Sequence, residues 1–132
     1  MKVSAGKWLG LRRLADESGL FKIIAVDQRP PIQNFIKSTL ESNEATWEDI
    51  AEVKRVLAES LASESSAILM DPLFAWPAAH SVIRRDHGLM LTLEHAEFDD
   101  TTRGRYSKMI PDWSVSKIKR AGADGVKLLA WY

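Results

Sequence analysis

Four stretches of this chain are apolar almost without interruption, and each carries or runs into a residue that can ionise. Phe21–Val26 leads to Asp27, Ala67–Met70 to Asp71 and Leu89–Leu93 to Glu94, while Gly125–Tyr132 contains Lys127. Short continuous apolar runs bounded by turn signals fit strands buried on both faces. The segments between them repeat with helical spacing. Leu9, Leu11, Leu14 and Ala15 predict a short first helix, stopped by Ser18-Gly19. Arg29-Pro30-Pro31 ends the first strand, because successive prolines withdraw backbone donors. Ile32, Phe35, Ile36 and Leu40 then predict a helix closing near Ser42-Asn43. Thr46 with Asp49 resembles a capping box. It precedes the clearest helical repeat in the chain, Trp47, Ile50, Val53, Val56, Leu57 and Leu61. Pro77 opens another helix through Ala79, Val82 and Ile83 to His87-Gly88, and Asp112 caps one through Val115 and Ile118 to Ala121-Gly122. The polar stretch from Glu94 to Pro111 reads as a long loop, of a length that tends to be functional or mobile.

Strands alternating four times with helices predict an α/β fold, a parallel sheet covered by helices. A closed (β/α)8 TIM barrel typically takes about 250 residues. The 132 residues are therefore expected to form the N-terminal half of one barrel domain, breaking off after its fourth strand.

Composition narrows the function classes. Eighteen basic and eighteen acidic residues cancel, so no global field recruits nucleic acid or an anionic membrane surface. The absence of cysteine removes disulfides and thiolate chemistry. The first residues, Met-Lys-Val-Ser-Ala-Gly, lack the apolar core of a signal peptide, and no apolar run approaches the roughly 20 residues that span a bilayer. A cytoplasmic location is expected.

Charge at the carboxyl end of a parallel strand is where chemistry is sited in such folds. Asp27 can accept a proton or orient a hydroxyl, Gln28 both donates and accepts, and Arg29 can fork onto phosphate. The structural alternative is a turn-capping Asp27 paired with Arg29 at the surface. Lys127, flanked by Val126, Leu128 and Leu129, is costly on a buried strand unless paired or employed. Desolvation is expected to lower its pKa, which suits general-base or Schiff-base chemistry; the alternative is an edge lysine reaching water. Glu94 can act as acid or base, or as the counter-ion of Lys127. Asp71, before Pro72, reads as a turn residue. His80, His87 and His95 match no zinc spacing, with His80 and His87 expected in a helix, so no metal is expected. No glycine-rich phosphate loop follows a strand.

These blocks resemble one family. Ala25-Val26-Asp27-Gln28-Arg29, Ala67-Ile68-Leu69-Met70-Asp71-Pro72 with Pro77-Ala78-Ala79, Leu91-Thr92-Leu93-Glu94, and Gly122-Ala123-Asp124-Gly125-Val126-Lys127-Leu128-Leu129 look like successive blocks of the tagatose 1,6-bisphosphate aldolases. The sulfofructose-phosphate aldolases share several of them. The resemblance implies a (β/α)8 barrel and a class I, metal-free and cofactor-free cleavage of a phosphorylated sugar to dihydroxyacetone phosphate and an aldehyde. It implies that Asp27, Gln28, Glu94 and Lys127 face the active site. In that family the Schiff-base lysine comes from the barrel's second half, so the resemblance makes Lys127 a supporting lysine. Pro30-Pro31 departs from the small residue that usually follows the Asp-Gln-Arg run.

The alternative is a non-catalytic, barrel-derived chain that binds a partner through its open sheet edges. Unpaired first and fourth strands expose apolar edges, so a homo-oligomer is expected.

Overall fold

A computed structural model of the chain describes residues 2–40 and 44–131. The expected closure at Ser42-Asn43, the Met1 terminus and the last strand residue, Tyr132, lie outside the described residues. Four parallel strands form one sheet in the order β1 (Ile23–Ala25), β2 (Ala67–Met70), β3 (Gly88–Thr92) and β6 (Gly125–Lys127). Helices α1 (Ala5–Leu14), α2 (Pro30–Thr39), α3 (Trp47–Leu61), α4 (Ala75–Ala79) and α5 (Val115–Arg120) surround it. Sequential parallel strands joined through helices are the α/β arrangement the sequence predicts, and the strand order is that of a (β/α)8 barrel. No helix among the described residues is long and apolar enough to cross a membrane.

Strand alternation divides the sheet into two faces. Ile24, Val26, Ile68, Met70, Leu89, Leu91, Leu93 and Val126 face the helices and join one cluster with Ala58, Ala75, Ala79 and Ile118. The residues between them, including Asp27, Glu94 and Lys127, belong to the opposite face. At the other end of the strands α1 packs closely. A Cβ on Gly88 would lie 2.5 Å from the Arg13 carbonyl oxygen, so only glycine lets β3 start there.

Several expected elements differ. The prolines do not end the first strand, which already stops at Ala25; they form the first turn of α2, where a missing N–H costs nothing. The first strand is short and Phe21 is exposed. The fourth strand stops at Lys127 rather than running on, because β3, its one partner among the described residues, ends at Thr92. The stretch after Glu94 is no loop but an antiparallel hairpin, β4 (Glu94–Thr101) and β5 (Gly104–Met109). It lacks a period-two apolar pattern because cross-strand ion pairs hold it, Arg105 to Asp100 and Lys108 to Asp99, both at 2.9 Å. Ser114, not Asp112, caps α5; Asp112 sits at a positive φ of 61° in the turn before it. The helix expected from Pro77 ends at Ala79, a 3-10 turn follows over His80–Val82, and His87 lies in a turn before β3. In α1 the expected apolar face is largely exposed, with Trp8, Leu9 and Leu11 outward and Leu14 inward.

The capping box of α3 forms as expected, Thr46 and Asp49 exchanging hydrogen bonds. Its buried stripe, however, is Ile50, Ala51, Lys54 and Ala58, whereas Val56 and Leu61 are exposed. Lys54 is wholly buried against an equally buried Asp71, with Nζ 2.6 Å from Oδ2. Asp71 also accepts from the backbone N–H groups of Leu73 and Phe74 at 2.9 and 2.8 Å, so the turn role read from sequence holds and a second role is added.

Removing one member of such a pair leaves a buried charge alone. Lys54→Met is expected to cost about 3–5 kcal/mol of unfolding free energy in a denaturant titration. A loss below about 1 kcal/mol would mean that water reaches Asp71. The sheet edges generate a second expectation. β1 and β6 each pair on one side only, and Ile23, Leu128 and Leu129 are exposed. An isolated chain of these residues is expected to sediment as a dimer or larger at micromolar concentration; a cooperatively folding monomer would contradict it.

Candidate active site

The site lies where three strands end. Asp27 follows β1, Glu94 opens β4 two residues beyond the last pair of β3, and Lys127 is the last residue of β6. All three lie on the sheet face away from the helices, so they meet although Asp27 and Lys127 are 100 residues apart in sequence. Lys127 Nζ is 3.1 Å from Asp27 Oδ2 and also donates to Glu94 Oε1. Both carboxylates are buried, while the lysine side chain keeps 34% of its exposure. The counter-ion alternative for Glu94 is therefore realised, and Lys127, although on an edge strand and partly exposed, turns to two carboxylates.

Arg29 sits just before the prolines of α2 and reaches back, its Nη2 donating at 2.8 Å to the Glu94 carbonyl. It thus ties the root of the hairpin to the end of β1, and does not pair with Asp27 as the surface alternative required. Its Nε and Nη1 have no partner although the residue is only 7% exposed. Glu94 Oε2 and the hydroxyl of buried Thr92 are likewise unpartnered. Unsatisfied buried donors and acceptors are costly, and their gathering at strand ends is the signature of a site that a polar ligand completes. Asp27, exposed Gln28, Arg29, Glu94 and Lys127 line an open cleft of about 320 Å³, with Pro30, Pro31, His95 and Leu129 also in its wall, while Thr92 lies beneath the site without lining the cleft. Thr92, His95 and the two prolines were not marked as site residues from sequence. Thr92 has a readable signal, since it stands two residues before Glu94 and shares its face.

Electrostatics change one expectation. Burial alone pulls the Lys127 ammonium down, but the hydrogen bonds to Glu94 and Asp27 outweigh it. The group ends above the ordinary lysine value, not below it as burial in an apolar strand led us to expect. A lysine held this way as an ammonium is a hydrogen-bond donor and a cationic grip. Among the described residues, no group of three or more histidine, cysteine or carboxylate side chains could hold a metal ion. His87 is buried beside Ser65, with Nε2 2.9 Å from its hydroxyl oxygen.

A family model described as DeoC/LacD family aldolase matches residues 21–132. Tagatose 1,6-diphosphate aldolase 2 of Enterococcus faecalis is 36% identical over 134 residues, covering 100% of this chain and 39% of the relative. Tagatose 1,6-diphosphate aldolase 2 of Streptococcus mutans is 33% identical, covering 100% of this chain and 40% of the relative. A tagatose 1,6-diphosphate aldolase of Listeria monocytogenes is also 33% identical, over 100% of this chain and 38% of its own length. The chain thus spans about two fifths of the curated relatives it matches.

The raised Lys127 value has a direct consequence. Its folded value lies above the unfolded one, so its contribution to stability is complete below the ordinary 10.5 and is lost as pH rises through the folded value. Followed through the Lys127 Cε resonance, the midpoint is expected above 10.5 in the wild type, and lower in Asp27→Asn or Glu94→Gln. A wild-type midpoint below the ordinary lysine value would contradict the geometry.

Proposed function

Since the chain belongs to the DeoC/LacD family of aldolases, we propose that it forms the first half of a (β/α)8 barrel enzyme, a class I, Schiff-base lyase. Its substrate is a phosphorylated ketose of the tagatose 1,6-bisphosphate kind, and it is a cytoplasmic enzyme of carbohydrate metabolism. The observation that carries this reading is the ammonium of Lys127 held between Asp27 and Glu94 beside the unpartnered nitrogens of Arg29.

Aldol cleavage breaks the C3–C4 bond of the ketose. A base removes the C4 hydroxyl proton, the aldehyde departs, and the bonding pair moves toward an iminium at C2. Glu94 suits the base, because Oε1 is engaged by Lys127 while Oε2 is free to accept a proton. Lys127, kept charged, steadies the negative charge that develops on the C4 oxygen as its proton leaves, and Asp27 orients it. Arg29 offers the unpartnered Nε and Nη1 as separate donors to a phosphate or hydroxyl, and Gln28 an amide to a neighbouring hydroxyl. The family resemblance implies an iminium lysine on a strand in the second half of the barrel, and the ion pairs of Lys127 fit the supporting role this leaves it. The exposed edges at Ile23 and Leu128 fit the remaining barrel strands, and a homo-oligomer of the whole enzyme is part of the proposal. The same edges favour the second reading, of a chain acting through partner binding.

Borohydride reduction of the full gene product with dihydroxyacetone phosphate separates the two. The expected result is a stable adduct on a lysine outside residues 1–132, with cleavage activity unaffected by chelators. Lys127→Met is expected to lower kcat by about 10²-fold, the scale for losing one charge-stabilising group, while trapping persists. No adduct, or one on Lys127, would overturn the assignment of roles.

A further inference from the structure

The cleft depends on a residue that does not line it. Lys54 reaches from the middle of α3 to the underside of β1 and is fully buried. Its Nζ donates at 2.7 Å to the Val26 carbonyl, at 2.7 Å to the Gln28 carbonyl and at 2.6 Å to Asp71 Oδ2. The two carbonyls stand immediately before and after Asp27. A lysine serving only to neutralise Asp71 needs one oxygen, whereas this one uses all three donors and spends two of them on the segment carrying the site.

We propose that Lys54 is a positioning residue for the reaction: by holding the carbonyls on both sides of Asp27, it aims that carboxylate at Lys127. The chain of contacts is continuous. The N–H groups of Leu73 and Phe74 fix Asp71, Asp71 fixes the Lys54 ammonium, and the ammonium fixes the Asp27 backbone. Asp27 then meets Lys127 at 3.1 Å. The charged groups around Lys54 are Asp71, Asp27 and Arg29, so the clamp and the site also share one field. Burial lowers the Lys54 value, and Asp71, with Asp27 behind it, opposes that. Nothing covalent secures the turn after β1, and α2 begins only at Pro30. Without the clamp, the segment keeps its ladder bond from Val26 N–H to the Leu69 carbonyl at one end and the bonds of Arg29 to Gln33 and Glu94 at the other, with no backbone bond at Asp27 itself among those described. A displacement of about 1 Å at a reacting group can cost on the order of 10²-fold in rate.

This inference rests on the preceding reading only where kcat is measured, so the test carries a second readout. In the full gene product, Lys54→Met combined with Asp71→Asn removes both buried charges, while the amide oxygen can still cap the turn into α4. The expected results are a Lys127 midpoint lowered toward that of Asp27→Asn, and kcat reduced about tenfold to a hundredfold with KM within about threefold of wild type. Ile118→Val loosens the core behind the sheet without touching the clamp, and is expected to leave both readouts unmoved. Should the double variant not fold, Lys54→Gln, neutral and shorter, carries the same comparison. A folded clamp variant with an unchanged Lys127 midpoint, or with wild-type kcat, would overturn the proposal even if the aldolase reading stands. A shifted midpoint in a protein without cleavage activity would sustain the positioning role and defeat the aldolase reading instead.

Discussion

An ammonium among apolar strands and helices must find oxygen partners, and two lysines of this chain find them around the end of β1. Lys54 approaches from the helix side and binds Val26, Gln28 and Asp71; Lys127 approaches from the opposite face and binds Asp27 and Glu94. Between them lies the short segment Asp27-Gln28-Arg29. Its conformation is fixed by charge rather than by sheet pairing, because the ladder between β1 and β2 ends at Ala25 with Leu69. The apolar core supplies the platform and the two ammonium groups supply the direction. That division suits a catalytic surface, where side chains must stay solvated enough to react yet remain held to fractions of an ångström.

The parallel strands were legible in sequence because continuous apolar runs bounded by charges leave few alternatives. Ala67–Met70 appears with its predicted bounds, and the meeting of Asp27, Glu94 and Lys127 is geometry that strand-end placement anticipated. The hairpin was not legible. Its strands hold Asp99, Asp100, Arg105 and Lys108 in cross-strand pairs, and such pairing leaves no hydrophobic period in the chain. Lys54 was hidden differently. Only its spacing betrays it, four residues from both Ile50 and Ala58, because a lysine within a helical repeat ordinarily faces water. The direction of the Lys127 shift was misread for a related reason: apolar sequence neighbours predict desolvation, whereas the two carboxylates that outweigh it come from elements far away in the chain.

Membership of an aldolase family and the geometry of the cleft bear on different parts of the chemistry. Family membership points to carbon–carbon bond cleavage. The cleft supplies the groups on which the proposed chemistry draws: a carboxylate with one unpartnered oxygen, an ammonium between two carboxylates, and a guanidinium with two unpartnered nitrogens. A Schiff-base nucleophile must be neutral when it attacks, and Lys127, between two buried carboxylates, is built for the opposite state.

The most direct measurement is a crystal structure of the full gene product soaked with dihydroxyacetone phosphate. The account predicts Lys127 still bridging Asp27 and Glu94, its Nζ within hydrogen-bond distance of a substrate oxygen, with covalent density on a lysine elsewhere in the barrel. Continuous density from Lys127 Nζ to the substrate C2 would contradict it.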